Sequence, residues 1–450
     1  MKKSLIYIFF LFLFFSACKI GHKYQGSQMK MPETFSGQKA DTTSLANTSW
    51  WEIFNDTLLV HYIEEAVENN RELQIAVSRI EEFRAQSRIA SSDLFPAIEL
   101  EAEKSYQKNK GESRFNKNEI YAELSWELDL WGRLRWQRDA GVADYLAAKE
   151  DKSAVLQALI SDVAVTYFEL MASKRELKII DQTKIAREEG VYLARLRYKG
   201  GLTSETPYRQ AESELAKTLT LVPSVKFDIT STNNMLATLM GKFPEEGIVA
   251  TSKTRYKVPD SIPNGLPSDL LVKRPDIRQA EQEVIAANAE VGMALTNMFP
   301  KISLTAETGA NSSALSELFS SPYQFLSGQL FAPIFNAGAN KARHKAARAV
   351  LKQKALAYDQ VVLKGFEETN NALAAVKKAK DVREALEKLE EASRGYLKLA
   401  QLQHINGVVD YLDVLDAQRL LFDSELRLND AIRDEKIAYI LLYKALGGGW

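Results

Sequence analysis

"DLFPAIELEAE" at residues 93–103 and "NMFPKISLTAE" at residues 297–307 are two versions of one junction. Each sets Phe-Pro before an alternating apolar/polar run, and Pro96 and Pro300 lie 300 − 96 = 204 residues apart. Proline biases the residue before it away from the helical region, so each Phe ends the helix leading into it. Beyond the prolines, Ile98, Leu100 and Ala102 alternate with Glu99, Glu101 and Glu103. In the second copy Ile302, Leu304 and Ala306 alternate with Ser303, Thr305 and Glu307. A period of two is that of a half-buried strand. The chain is therefore predicted to pass from helix to sheet twice.

The junctions belong to a duplication. "NNRELQIAVSRIEEFRAQSRIASSDLFP" matches "KRPDIRQAEQEVIAANAEVGMALTNMFP" at an offset of 204, and "RYKGGLTSETPYRQAESEL" matches "QHINGVVDYLDVLDAQRLL" at 206, with Gly201 opposite Gly407. A period this long marks a domain-sized unit rather than a short-repeat solenoid. Each copy opens on a helix, Leu58–Ser92 or Ser268–Asn297, with coiled-coil-like spacing at Ala66, Leu73, Val77 and Ile80. A strand pair follows, at 96–131 and 300–335. Its second strand in the first copy sets Ile120, Ala122, Leu124, Trp126, Leu128 and Leu130 against Glu119, Tyr121, Glu123, Ser125, Glu127 and Asp129. The fourth strand, "YQFLSGQLFAPIF", alternates less cleanly, and the loops are "QKNKGESRFNKN" and "NSSALSELFSS". Next come long helices, Arg135–Lys199 and Asn340–Ile405, which at 1.5 Å per residue reach about 97 Å. Glycine-bearing turns lead into return helices, Pro207–Met240 and Leu412–Leu446, with Ala385, Ala392, Ser393 and Ala400 small enough for close packing. The expected organisation is 1–17 signal peptide, 18–49 lipidated tether, 50–240 first repeat, 241–267 proline-bearing linker and 268–450 second repeat.

The formal net charge is −1 over 450 residues, which offers no basic surface for nucleic acid. Lys2 and Lys3 precede "LIYIFFLFLFF", too short to span a bilayer but suited to a signal-peptide core. The run ends on Cys18, the only cysteine. Two readings stand: a chance cysteine beside a leader cleaved elsewhere, or a lipoprotein signal in which Ser16 and Ala17 admit the peptidase and the Cys18 thiol is acylated. The latter resembles the lipobox with Phe15 in the usual aliphatic place. The polar stretch after Cys18 reads as an extended tether. No other stretch has 18 consecutive apolar residues. His22, His61, His344 and His404 are scattered, and no metal-spaced pair, zinc signature or phosphate-binding glycine loop is present. No enzyme, cofactor or metal is expected; a hydrolase built on the glutamates lacks anything to orient a substrate.

The strands raise a choice between a soluble sheet and a membrane wall. No nearby amphipathic strand set covers their apolar faces, whereas a water-filled interior would solvate their carboxylates, and ten-residue strands match a bilayer crossing. Four strands cannot span lipid alone, because their edges expose unpaired amides. A dimer would give eight strands and a lumen plugged by side chains. A trimer gives 3 × 4 = 12 and an aqueous passage lined by Glu99, Glu101, Glu103, Glu123, Glu127 and Glu307, with Trp126, Trp131 and Phe331 placed for the interface.

The motifs "WWEIFNDTLL", "LPSDLLVKRPDIRQAE", "ELDLWGRLR", "APIFNAG", "YLDVLDAQ" and "YKALGGGW" run in order from Trp50 to Trp450. In these the chain resembles the TolC-like outer-membrane efflux proteins, most closely the lipoprotein branch that partners resistance-nodulation-division pumps. The resemblance implies a mainly α protein with a membrane β-barrel, forming a homotrimer whose helical tunnel crosses the periplasm beneath the outer membrane. It implies a passive conduit exporting small molecules, with a periplasmic adaptor docking at the turns around Gly200, Gly201, Leu202, Gly407 and Val408. It also makes Asp413 and Asp416 rings that narrow the tunnel entrance. The spacing i, i+3 puts both on one helix face, although a helix N-terminus alone would also favour Asp410 and Asp413. Where the family carries a tyrosine and an arginine as closing tethers, this chain has His404 and Val409, which leaves its closing contacts open. His404 reads either as an ordinary helix-surface histidine or as a pH-sensing group. The alternatives are a lipid-anchored periplasmic coiled-coil scaffold and a type I protein-secretion exit duct.

Overall fold

The computed structural model describes residues 19–26, 29–35, 44–47, 49, 56–107, 115–244 and 265–448. Cys18 and most of the 241–267 linker lie outside the described residues. Two compact units make up the chain: Met1–Lys30, Val77–Asp151 and Asp276–Val361 in one, Met31–Ala76, Lys152–Pro275 and Val362–Trp450 in the other. Each unit draws on both copies of the repeat.

The first unit carries the sheet. Strands β1 (Ala97–Gln107), β2 (Phe115–Leu128), β3 (Lys301–Ser312) and β4 (Pro322–Phe331) lie in the order β1-β2-β3-β4. All neighbours are antiparallel, so the hairpins from the two halves join through β2 and β3. The register puts Ile98, Leu124, Ala306 and Leu326 in one row and Glu99, Glu123, Glu307 and Phe325 in the next. Because side chains alternate between faces, one face is apolar and the other carries the carboxylates. The predicted loops are shorter than expected: residues 115–118 already pair within β2, where the Asn118 amide donates to the Ser312 and Ser313 carbonyls. Leu315–Ser320 forms a 3₁₀ turn. Trp126 Nε1 donates to Leu94 O and Trp131 Nε1 to Pro300 O (2.7 Å), while the Trp131 ring packs on Phe299. Each Phe-Pro junction is thereby tied to a tryptophan from the end of β2.

The helices are α1 (Thr57–Asn69), α2 (Arg71–Ser92), α3 (Arg133–Lys199), α4 (Thr206–Leu239), α5 (Asp269–Lys273), α6 (Pro275–Thr296), α7 (Ala339–Ile405) and α8 (Tyr411–Ala445). The single opening helix expected in each copy is broken in both, at Asn70 and Arg274, which correspond at the 204-residue offset. Arg274 precedes Pro275 and is held extended, with ψ 118°. Asn70 reaches the same geometry, ψ 129°, with its side chain: Oδ1 caps Leu73 N, and Nδ2 donates to Leu239 O at the end of α4.

Among the described residues, the regular elements of the second unit are helices. Leu59, Ile63 and Ala66 of α1 are buried, as are Val163, Ala164, Tyr167 and Leu170 of α3. The Tyr167 hydroxyl donates to Asp56, the carboxylate that caps α1. α3 contains an 18-residue window of mean hydropathy 1.4, 56% of it buried inside the protein, as expected of a core helix. Ser393 and Ala400 are buried as predicted, but Ala385 and Ala392 face outward; small size permits close packing without requiring it. Arg274 is a tie-point, donating to the Ala445 carbonyl and to Glu368 (2.7 Å), and its guanidinium lies against Gly365. We expect Arg274→Met to cost about 2–4 kcal/mol, since one charge-assisted and one buried carbonyl bond are lost. A lower melting temperature of the solubilised protein would show it.

Within the expected extended tether, some described residues are packed while others, such as His22, Gln25 and Glu33, are exposed. In the first unit Ile20 N donates to Trp131 O, and the Trp136 indole donates to Ile20 O. Lys19 pairs with Asp139 and stacks on Trp136. Tyr24 is pushed up to about 12 by burial and by Glu281. In the second unit Phe35 is buried and stacked on Phe366. Polar composition concealed a few aromatic and backbone anchors, which suffice to pin an otherwise solvated segment.

Candidate functional site

All six carboxylates expected to line a passage share one face of the sheet. Glu99, Glu123 and Glu307 stand directly opposite one another on three adjacent strands, and Glu103 opposes Glu119. Like charges about 5 Å apart repel by about 0.8 kcal/mol in bulk water and about 3 kcal/mol at an effective dielectric of 20. Such a row is tolerable only against water. Other residues temper it. Tyr121 donates its hydroxyl to Glu101 (2.5 Å), Tyr323 donates to Glu119 (3.1 Å), and Lys117 pairs with Glu119 (2.6 Å). Glu127 accepts from Arg133 Nε and Nη2, each at 3.0 Å. Sequence reasoning left Glu119, Tyr323 and Arg133 out of this site. Glu119 was recoverable from strand parity; Arg133 and Tyr323 depend on folded geometry.

The turns form a second cluster, within the other unit. After α3, Gly201 adopts φ +71°, its N–H bonds to Tyr198 O, and Leu202 N bonds to Arg197 O. After α7, Gly407 adopts φ +74°, bonds to His404 O, and Val408 N bonds to Gln403 O. Both are Schellman caps, which place glycine in the left-handed region and an apolar residue just beyond it. Leu202, Ile405 and Val408 are exposed.

His404 is neither bare nor merely on the surface. Arg197 donates to its Nε2 (2.7 Å), so the ring proton sits on Nδ1 and is donated to Val409 O (3.1 Å). Its ring also packs on Tyr411, whose phenol burial pushes up. The two turns of the repeat are thus linked by the side chains of Arg197 and His404, a contact the sequence did not announce.

Asp413 and Asp416 are exposed on the first turns of α8. Asp410 occupies the N-cap with extended backbone, but its carboxylate makes no capping bond. Asp416 accepts from Arg419 at 2.9 Å, and no ion pair to Asp413 is present among the described residues. Both lie on a solvent face that continues through Leu420, Asp423 and Arg427. Among the described residues, no group of His, Cys, Asp and Glu is arranged to hold a metal ion.

A family model described as "Outer membrane efflux protein" matches residues 62–242 and 266–448, one stretch per copy of the repeat. The chain is 32% identical to the cation efflux system protein CusC of Escherichia coli O6:H1 over 444 residues, 97% of this chain and 96% of that protein. It is 30% identical to the probable outer membrane lipoprotein SilC of Salmonella typhimurium, covering 100% and 99%. The open-state crystal structure of the Neisseria gonorrhoeae MtrE outer membrane channel superposes with a TM-score of 0.90 at 29% identity, over 96% of this chain and 98% of that one. A duplicated helix–hairpin–helical-hairpin architecture, a sheet with one carboxylate face and one apolar face, and two family matches in register with the duplication agree. The chain belongs to the outer membrane efflux protein family, and it is the outer-membrane channel of a tripartite efflux system, a transport protein rather than an enzyme.

Proposed function

We propose that three copies of this chain close their sheets into a twelve-stranded barrel that passively conducts small solutes driven by a pump. The observation that carries this is the open sheet. β1 and β4 each have one unpaired edge among the described residues, and the apolar face is bare, with Leu100 75% and Leu326 80% exposed. Lipid suits that face, and strands of neighbouring copies suit those edges. Glu99, Glu101, Glu103, Glu123, Glu127 and Glu307 then line the lumen. Asp413 and Asp416 ring the tunnel entrance, and Gly200, Gly201, Leu202, Gly407 and Val408 form tips for a periplasmic adaptor. The likeness to the cation efflux protein CusC and the lipoprotein SilC supports a resistance-nodulation-division pump as partner and acylation at Cys18. Cargo choice rests with that pump, because a broad polar passage discriminates weakly. Detergent-purified protein is expected to have three times the 50.6 kDa chain mass, after correction for bound detergent and any leader removed, and to conduct ions in planar bilayers. A non-conducting monomer would overturn the proposal.

A further inference from the structure

Basic residues crowd the chain just past its last strand. From Phe331 to Tyr358 the sequence carries Lys341, Arg343, Lys345, Arg348, Lys352 and Lys354 but no Asp or Glu. At 3.6 residues per turn, Lys341, Lys345, Arg348 and Lys352 fall within about 60° of one another on α7. All four are exposed, and none makes an ion pair among the described residues. Lys354, on the far side of the helix, is bound by Glu283 at 2.7 Å.

The duplication supplies an internal comparison. At the matching start of α3, Arg133 is neutralised by Glu127, Arg135 by Asp129 and Arg138 by Asp139. The first copy pairs these three arginines with its own carboxylates, whereas in the second Lys341, Lys345, Arg348 and Lys352 make no ion pair among the described residues. Two further features lie beside the stripe. Between β4 and α7, Ile334 is 96% and Phe335 88% exposed. Along the stripe His344, Lys345, Arg348 and Lys352 line a shallow surface depression. Exposed apolar side chains followed at once by unpaired cations match the order of layers met on leaving a bilayer: acyl chain, then phosphate.

We propose that residues 331–352 are a docking surface for anionic phospholipid headgroups at the barrel rim from which α7 departs. Ile334 and Phe335 enter the boundary between acyl chains and headgroups, and Lys341, Lys345, Arg348 and Lys352 hold lipid phosphates. This rests on placement of the sheet in the outer membrane. Each cation near an anionic surface raises partitioning roughly fivefold at low salt.

The test titrates delipidated, detergent-solubilised full-length oligomer with phosphatidylglycerol or phosphatidylcholine of identical acyl chains, counting bound lipid by native mass spectrometry. Phosphatidylglycerol is expected to bind at least about tenfold more tightly, with the difference collapsing as salt is raised. K341Q/K345Q/R348Q/K352Q should lose the preference, whereas K377Q/K378Q, farther along α7, should keep it. Wild-type protein that fails to discriminate, or discriminates independently of salt, overturns the proposal even where the quadruple variant does not assemble. An assembled variant that keeps its lipid preference but changes its cation-to-anion permeability ratio assigns the stripe to the aqueous passage instead. A variant that falls apart into monomers, while the wild type does not discriminate, assigns it to a contact between copies. Misplacement of the sheet itself would show separately, as wild-type protein without conductance.

Discussion

Gly309→Val is expected to abolish the assembled channel, whereas Gly328→Val leaves it intact. Gly309 lies on β3 between Tyr121 of β2 and Tyr323 of β4. A Cβ there would come within 2.4 Å of the Ile120 carbonyl oxygen and 2.5 Å of Tyr121 Cβ. Neither is the yielding end of a flexible side chain. Relief requires moving β2 away from β3, the ladder that joins the hairpins of the two halves. Overpacking of a side-chain core costs about 1–3 kcal/mol, and a clash against neighbouring backbone exceeds that range. Gly328 is different: its nearest neighbour is Leu304 Cδ2 at 3.5 Å, an ordinary contact, and it shares the apolar face with Leu326 and Leu330. Valine there adds apolar area and β propensity. Oligomer yield after detergent extraction, together with bilayer conductance, reads both variants. Equal assembly of the two would show that β2 and β3 are not in this register.

The same sheet shows what local sequence carries and what it does not. The alternation of Ile98, Leu100 and Ala102 with Glu99, Glu101 and Glu103 determines which residues share a face, because strand parity is a property of neighbours in the chain. Which strand lies beside β2 is not local. β2 and β3 are separated by more than a hundred and fifty residues of helix and linker, so the row Glu99–Glu123–Glu307 emerges only on folding. Pro275 is a helix-break signal that the expected span Ser268–Asn297 passed over, whereas Asn70 carries no such signal, since asparagine is tolerated within helices and breaks this one through a bond to Leu239 O. Charge at the turns was legible, but Arg197 reaching His404 across two hairpins was not. The polar N-terminal stretch misled for the opposite reason: average composition outweighed Ile20, Tyr24 and Phe35, the few residues that anchor it.

Asp413→Ala combined with Asp416→Ala is expected to raise single-channel conductance severalfold and to weaken block by divalent cations. In the proposed trimer the two positions would form two rings of three carboxylates, one helical turn apart. Within one chain, Asp416 is already engaged by Arg419 at 2.9 Å, whereas no ion pair to Asp413 is found among the described residues. The proposed Asp413 ring would therefore keep the greater unmet negative charge and be the stronger attractor for a divalent ion. Carboxylates converging on an axis repel one another, and a bound cation relieves that repulsion, drawing the ring inward and narrowing the passage. Alanine removes both bulk and charge. Asparagine at the same two positions separates these contributions, since it keeps nearly the same size without the charge: divalent block should fall as far as with alanine, while conductance rises less. His404 and Arg197 remain in place in either variant, so the turn itself is not disturbed. Unchanged conductance and block in the alanine pair would remove both aspartates from the constriction and leave them as solvated residues at the start of α8.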